Sequence, residues 1–318
     1  MRTKILALVV LAASLVSTQA GQPFRAGVAR ITVQDAVPFD TLIAYPTDAD
    51  EAPFQMGPFT VAGSRGGTIA GGGRFPVVLF SHGNGRRGGT SLVHRDLVTS
   101  LAREGFIVIA PFHPGTSLPL EDRPRQIRKA LDTVLADGRF LEGADPNRIG
   151  MIGFSFGGAV SLILAGAAPS LKHLSVYCRD RKDDPRACDG VPTDVSSGND
   201  VRRRHADRLA LKALVLMEPF GALFDREGLT SVNMPTLLYR AERSDLKADG
   251  NIRALADALP RPPQRVTVPG GHFIFVGPCP ALVAKDAPEA CKDGPGVDRA
   301  AVHRQIETEI ADFLRRHL

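Results

Sequence analysis

The sequence predicts an α/β protein: a mostly parallel central sheet with helices on both faces. Three observations predict it. Short apolar runs alternate with segments of helical periodicity through most of the chain. The runs are continuous rather than alternating, as strands covered on both sides require. No internal repeat or low-complexity linker interrupts the succession, so one domain over residues 21–318 is expected. With 318 residues, 43% hydrophobic and 23% charged, the chain can bury a large core and is neither disordered nor fibrous.

Residues 28–33 (VARITV) and 42–45 (LIAY) read as opening strands of a meander, and the Gly-rich stretch 57–74 as turns. FPVVLF at 75–80 is a buried strand that ends in the Gly-rich turn SHGNGRRGG, followed by a helix over 91–103. FIVIA at 106–110 is the next strand, 125–136 the next helix, RIGMIGF at 148–154 another buried strand, and 157–167 a small-residue helix. Further strands are expected at 213–217 (ALVLM), 236–240 (TLLYR) and 265–268, with a helix near 252–259. An amphipathic helix over 299–316 closes the chain, with Val302, Ile306, Ile310 and Leu314 on one face.

MRTKILALVVLAASLVSTQA at 1–20 has a basic start (Arg2, Lys4), an apolar centre and a small-residue end at Thr18-Gln19-Ala20. That pattern is a secretory signal, too short to span a bilayer with margin, and it implies export to a periplasmic or extracellular space. It is also the one long apolar run, so stable membrane insertion is not expected. Its removal takes away Arg2 and Lys4 and lowers the formal charge from +5 to +3. Apart from Arg202-Arg203-Arg204 there is no basic block, so a nucleic-acid partner is not expected either.

An exported chain meets oxidising conditions, which gives its four cysteines meaning. Cys178/Cys188 and Cys279/Cys291 form two local pairs flanked by turn-forming residues, and each is expected to close a short loop as a disulfide. The first lies in a polar stretch, about 169–207, inserted between a strand–helix unit and the next strand. A cap over a pocket and a surface decoration both fit that stretch.

The chemistry-bearing motif is Gly153-Phe154-Ser155-Phe156-Gly157-Gly158, set between a buried strand and a small-residue helix. A turn that sharp strains the serine backbone and aims its hydroxyl outward, and side chains at 153 and 157 would strike neighbouring backbone. A serine hydroxyl needs a base before it can attack. His272 follows the last strand and two glycines, which suits that role better than any other histidine. The imidazole in turn needs an orienting carboxylate. Asp245, after the strand at 236–240, is favoured from the chain order serine–acid–histidine, with Glu218 in LMEP as the alternative. An oxyanion would need two backbone N–H groups, expected from Phe156 and from Asn84 in the turn after residue 80, with His82 buttressing that turn. No metal-ligand spacing such as H-E-x-x-H occurs, and no cofactor is expected.

VVLFSHGNG, REGFIVIAPFHPGTS, DPNRIGMIGFSFGG and the PGGHFIF…PCP…EACKD…DRAAVH tail, over roughly residues 75–315, resemble serine hydrolases of the α/β-hydrolase fold. Within that fold the resemblance is to the branch of platelet-activating factor acetylhydrolase and secreted dienelactone hydrolase-like proteins. It implies hydrolysis of a small-molecule ester, with a short acyl group, through an acyl-enzyme on Ser155. Dienelactone hydrolases carry a cysteine where Ser155 stands, so their substrate does not transfer. The acetylhydrolase pattern points to Glu218 as the acid, whereas related bacterial sequences point to Asp245. Phe154, Phe156, Phe273 and Phe275 beside the two turns suggest an apolar substrate group. An acyltransferase with the same residues, a peptidase, and a non-catalytic binding protein on this scaffold are the rival readings.

Overall fold

The structure, a computed structural model, describes residues 24–84, 89–114, 120, 122–192 and 207–318. The signal read at 1–20, Gly85, the Arg202-Arg203-Arg204 run and residues 193–206 of the insertion lie outside the described residues.

Ten strands form one sheet among the described residues: β1 (Arg25–Val33), β2 (Phe39–Thr47), β3 (Ala52–Met56), β4 (Phe59–Arg65), β5 (Phe75–Ser81), β6 (Ile107–Pro111), β7 (Ala144–Phe154), β8 (Ala213–Met217), β9 (Thr236–Ala241) and β10 (Gln264–Val268). Their order is β10-β9-β8-β7-β5-β6-β2-β1-β4-β3. The six strands from β10 to β6 run parallel, and β2 is antiparallel to both β6 and β1.

Alternate residues of each central strand feed two separate cores. Val77, Leu79, Ile107, Ile109, Met151 and Leu216 pack under α2 (Asp122–Ala136) and α3 (Phe156–Leu164). Val78, Phe80, Val108, Ile152 and Met217 pack under α1 (Arg95–Arg103) and α9 (Arg299–His317). Both faces are covered, which is why these strands read as unbroken apolar runs. This is the α/β-hydrolase fold, with α4 (Leu171–Arg179), α5 (Pro185–Cys188), α6 (Ile252–Ala258), α7 (Ala281–Asp286) and α8 (Pro288–Cys291) completing it.

Two elements correct the sequence reading. The stretch 57–74 is not all turn: β4 occupies its first half and pairs with β3 across a turn at Gly57, whose φ is +58°. Phe59 and Val61 are buried while Thr60 and Ala62 face water, a strand alternation that the surrounding glycines obscure. The helix expected over 91–103 opens as a 3₁₀ turn, Ser91–His94, where the Thr90 hydroxyl accepts the Leu92 N–H at 3.3 Å.

Both expected disulfides are present, Cys178–Cys188 and Cys279–Cys291, closing loops of 10 and 12 residues of separation. Each contributes about 2–3 kcal/mol by restricting the unfolded chain. The described part of the insertion is not a free decoration. Arg181 pairs with Asp249 at 2.6 Å, and buried Asp184 accepts bonds from the Tyr177 hydroxyl at 2.7 Å and Asn251 Nδ2 at 3.2 Å. Asn251 Oδ1 in turn accepts the N–H groups of Gly221 and Ala222, so the insertion is tied to the loop that leaves β8.

Among the described residues no helix is long and apolar enough to cross a membrane. The last helix buries Val302, Ile306, Ile310 and Leu314 as its periodicity predicts. Ile310 on that face is fully buried, so Ile310→Ala should cost about 2–5 kcal/mol of unfolding free energy in urea titration. A cost near zero would mean that the helix does not cap this face.

Candidate active site

β5 lies in the middle of the ten-stranded order, with β6 on one side and β7 on the other, so the strand order reverses between β5 and β7. Open α/β sheets form a crevice beyond the carboxyl ends of strands at such a reversal. Here the turn 82–84 leaves β5 and Ser155 follows β7 at that edge.

Ser155 has φ +54° and ψ −119°, a conformation that L residues rarely adopt and that costs of order 1–3 kcal/mol. Its N–H donates to Met217 O at 2.9 Å and its carbonyl accepts Phe220 N–H at 3.0 Å, so β8 and the loop after it hold the strain in place. The flanking glycines are required sterically. A Cβ on Gly153 would strike the Gly157 carbonyl, and one on Gly157 would strike the Ser81 carbonyl. Ser155 also stands at the start of α3, where unpaired helical N–H groups favour negative charge.

His272 opens a 3₁₀ turn, His272–Phe275, directly after β10. Gly270, at φ +107°, turns the chain into it and accepts the Arg243 N–H at 2.9 Å. The imidazole is 4% exposed, with Nε2 3.1 Å from Ser155 Oγ and Nδ1 3.3 Å from Glu218 Oε2. With Nδ1–H donating to the carboxylate, Nε2 is left to accept the serine proton. Phe154 and Phe273 flank the ring, with centroids 5.1 and 5.2 Å away.

Glu218 is fully buried at the end of β8, at φ +47°. Its carboxylate is satisfied from three directions. Oε1 accepts the Ala241 N–H at 2.6 Å, and Oε2 accepts the Ser244 hydroxyl as well as His272. A buried carboxylate needs such partners to remain charged at tolerable cost. Ser244 was not singled out in the sequence, where a serine in a turn after a strand carries no distinguishing signal.

The sequence preference between the two acids reverses here. Asp245 is exposed, and its carboxylate is held by the Arg186 guanidinium, with Nε to Oδ1 at 2.5 Å, rather than by His272. The Arg186 side chain also lies 4.9 Å over the Phe273 ring. Asp245 therefore fastens α5 of the insertion beside the site, and that pairing holds its carboxyl below the usual range against the effect of partial burial. Chain order could not separate the two acids, because both follow adjacent parallel strands that end at the same edge.

Gly83 lies over Ser155: a Cβ built there would be 3.2 Å from Ser155 Cβ. Half-buried Asn84 follows it, and Phe156 N–H is the first of α3. Of the four phenylalanines noted beside the turns, Phe154, Phe156 and Phe275 are buried packing residues, and Phe273 alone is half-exposed. Half-buried Phe220, not anticipated, has its ring centroid 6.4 Å from that of Phe156. A separate groove of about 900 Å³ lies among β1, β3, β4 and the turn before β7 and contains none of Ser155, His272 or Glu218.

No family model matches the chain, and no curated protein matches it. Among solved structures, a ferulic acid esterase from Streptomyces cinnamoneus superposes with a TM-score of 0.61 at 17% identity, over 96% of this chain and 92% of that one. At that identity the similarity establishes the shared fold.

Three buried imidazoles surround the site. His82, His94 and His113 all have pKa values lowered by burial, the latter two to about 3. His94 and His113 take up a proton readily only on unfolding, so their stabilising contribution is complete above pH ~6.5 and is lost as pH falls toward ~3. Each such group steepens the loss by about 1.4 kcal/mol per pH unit. Unfolding free energies at pH 7, 6 and 5 should fall in that manner, and His94→Asn should flatten the slope by one group. An unchanged slope would contradict the neutral buried state of His94.

Proposed function

We propose that the protein is an exported serine hydrolase that cleaves carboxylic esters through an acyl-enzyme. The observation that carries this reading is the continuous contact from Ser155 Oγ to His272 and on to buried Glu218. In the reaction, His272 Nε2 takes the Ser155 proton as Oγ bonds to the ester carbonyl carbon and the carbonyl electrons move to oxygen. The Phe156 and Asn84 amides hold that oxyanion. Its collapse breaks the ester C–O bond, and the leaving alcohol takes the proton from His272. Water then attacks the acyl-serine, its proton passing to His272 and back to Ser155 as the acid departs. Glu218 keeps the Nδ1–H tautomer and stabilises the imidazolium. Every step is carried by side chains and amides of the chain itself.

The resemblance in sequence supports a short acyl group and the acetylhydrolase-like branch. The structural neighbour, by its name a ferulic acid esterase, makes an ester of a hydroxycinnamic acid a second arm to test. The N-terminal signal pattern and the two disulfides support export to a periplasmic or extracellular space.

A panel of p-nitrophenyl esters of increasing chain length, with methyl ferulate beside it, tests the proposal. Ser155→Ala should abolish turnover and fluorophosphonate labelling. Glu218→Gln should lower kcat by up to about 10⁴-fold. Asp245→Asn should stay within about fivefold of wild type, because an exposed ion pair is worth about 1 kcal/mol or less. Retained turnover in Ser155→Ala would defeat the serine mechanism. A collapse in Asp245→Asn with an active Glu218→Gln would exchange the two acids.

A further inference from the structure

Arg123, in the first turn of α2, is 2% exposed. Nearly every buried charge is matched by an opposite one. Among the described residues, however, Arg123 has no carboxylate within ion-pair distance. Its NH1 donates to His82 O at 2.9 Å and its NH2 to Asn84 Oδ1 at 3.4 Å. The guanidinium also lies 5.1 Å over the Phe156 ring. It thus touches both residues whose amides are assigned to the oxyanion, one through a side-chain oxygen and one through a ring face.

The turn between β5 and Asn84 is pinned at two successive peptides. The His82 carbonyl is bound by Arg123, and the Gly83 carbonyl accepts His82 Nδ1–H at 2.7 Å. In a planar trans peptide the N–H points opposite to the C=O. Fixing these carbonyls therefore fixes the direction of the Gly83 and Asn84 N–H groups. The His82 ring is itself braced: Nε2 accepts His113 N–H at 3.5 Å, His113 Nδ1 donates to Gln126 Oε1 at 2.7 Å, and Ser81 Oγ lies 3.3 Å from His113 Nε2. Every group facing Arg123 in this network is neutral, because burial keeps both imidazoles unprotonated.

We propose that Arg123 is a positioning residue for the oxyanion turn: it locks the peptides on which the Asn84 donor depends and places a buried positive charge beside the site where negative charge develops. This rests on the hydrolase reading above. Burial lowers the Arg123 pKa to about 10, so the side chain is still cationic at neutral pH. Among the described residues no carboxylate neutralises its charge before the reaction. Stabilisation that appears only with the tetrahedral oxyanion raises kcat rather than substrate binding.

Arg123→Lys and Arg123→Gln, with wild type and Ser155→Ala as references, test the proposal on p-nitrophenyl acetate. Removing an oxyanion donor outright costs roughly 10²–10³-fold in kcat, and loss of its positioning should cost less. Arg123→Gln is expected to lose about 10–100-fold in kcat with KM little changed. Arg123→Lys keeps the charge but not the two-point geometry, and should fall between it and wild type. Affinity for a trifluoromethyl ketone, whose serine adduct carries the oxyanion, should weaken in parallel with kcat. Folded variants with wild-type kcat and inhibitor affinity would overturn the proposal, as would a change confined to KM. Loss of folding in both variants would assign Arg123 to stability and equally overturn it. A wild type that turns over no ester defeats the hydrolase reading itself, a result separate from any of these.

Discussion

A single turn of chain, held in a conformation it would not choose, organises this molecule. Ser155 sits at φ +54° because β7 must run into α3 with almost no connecting loop. Gly153 and Gly157 are the residues that let backbone pass backbone there. The cost of such a turn has to be met by surrounding structure, and the surroundings are correspondingly rigid. Strand β8 bonds the serine N–H, the loop after β8 bonds its carbonyl, and α3 beneath it is buried along its whole length. The same β8 then ends in Glu218, a second residue at positive φ. The two strained positions are neighbours in the sheet and share one loop.

Burial sets the electrostatics of this edge. Glu218 is wholly enclosed yet bonded by a backbone amide, a hydroxyl and an imidazole. On the other side of the serine, Arg123 is enclosed among neutral acceptors. The site therefore lies between the hydrogen-bonded Glu218 carboxyl and a buried guanidinium that, among the described residues, has no carboxylate partner. In low dielectric, fixed charges of this kind act more strongly than they would in water.

The insertion belongs to the same edge. Its residues Arg181, Asp184 and Arg186 reach Asp249, Asn251 and Asp245, all in the segment between β9 and α6. The Cys178–Cys188 bridge joins α4 to α5 and so keeps these groups in register. Arg186 also covers Phe273, whose ring edge meets His272. What reads in sequence as a polar interruption is, over its described part, a wall built against the segment between β9 and α6 and against Phe273 beside His272.

Local physics made much of this legible in the chain itself. Continuous apolar runs announced strands covered on both faces, and the periodicity of the last helix named its buried face at Val302, Ile306, Ile310 and Leu314. Turn-flanked cysteines named their own partners. The glycines at 153 and 157 announced a tight turn, because steric exclusion acts over a few neighbouring residues. Tertiary structure alone decided what depends on side chains meeting across the sheet. It decided that Glu218 rather than Asp245 faces His272, that Asp245 fastens the insertion, and that β4 lies against β1 within a stretch rich in glycine. Which of two carboxylates on adjacent strands reaches a ring is settled by a difference of a few ångströms in three dimensions, and one-dimensional spacing contains no term for it.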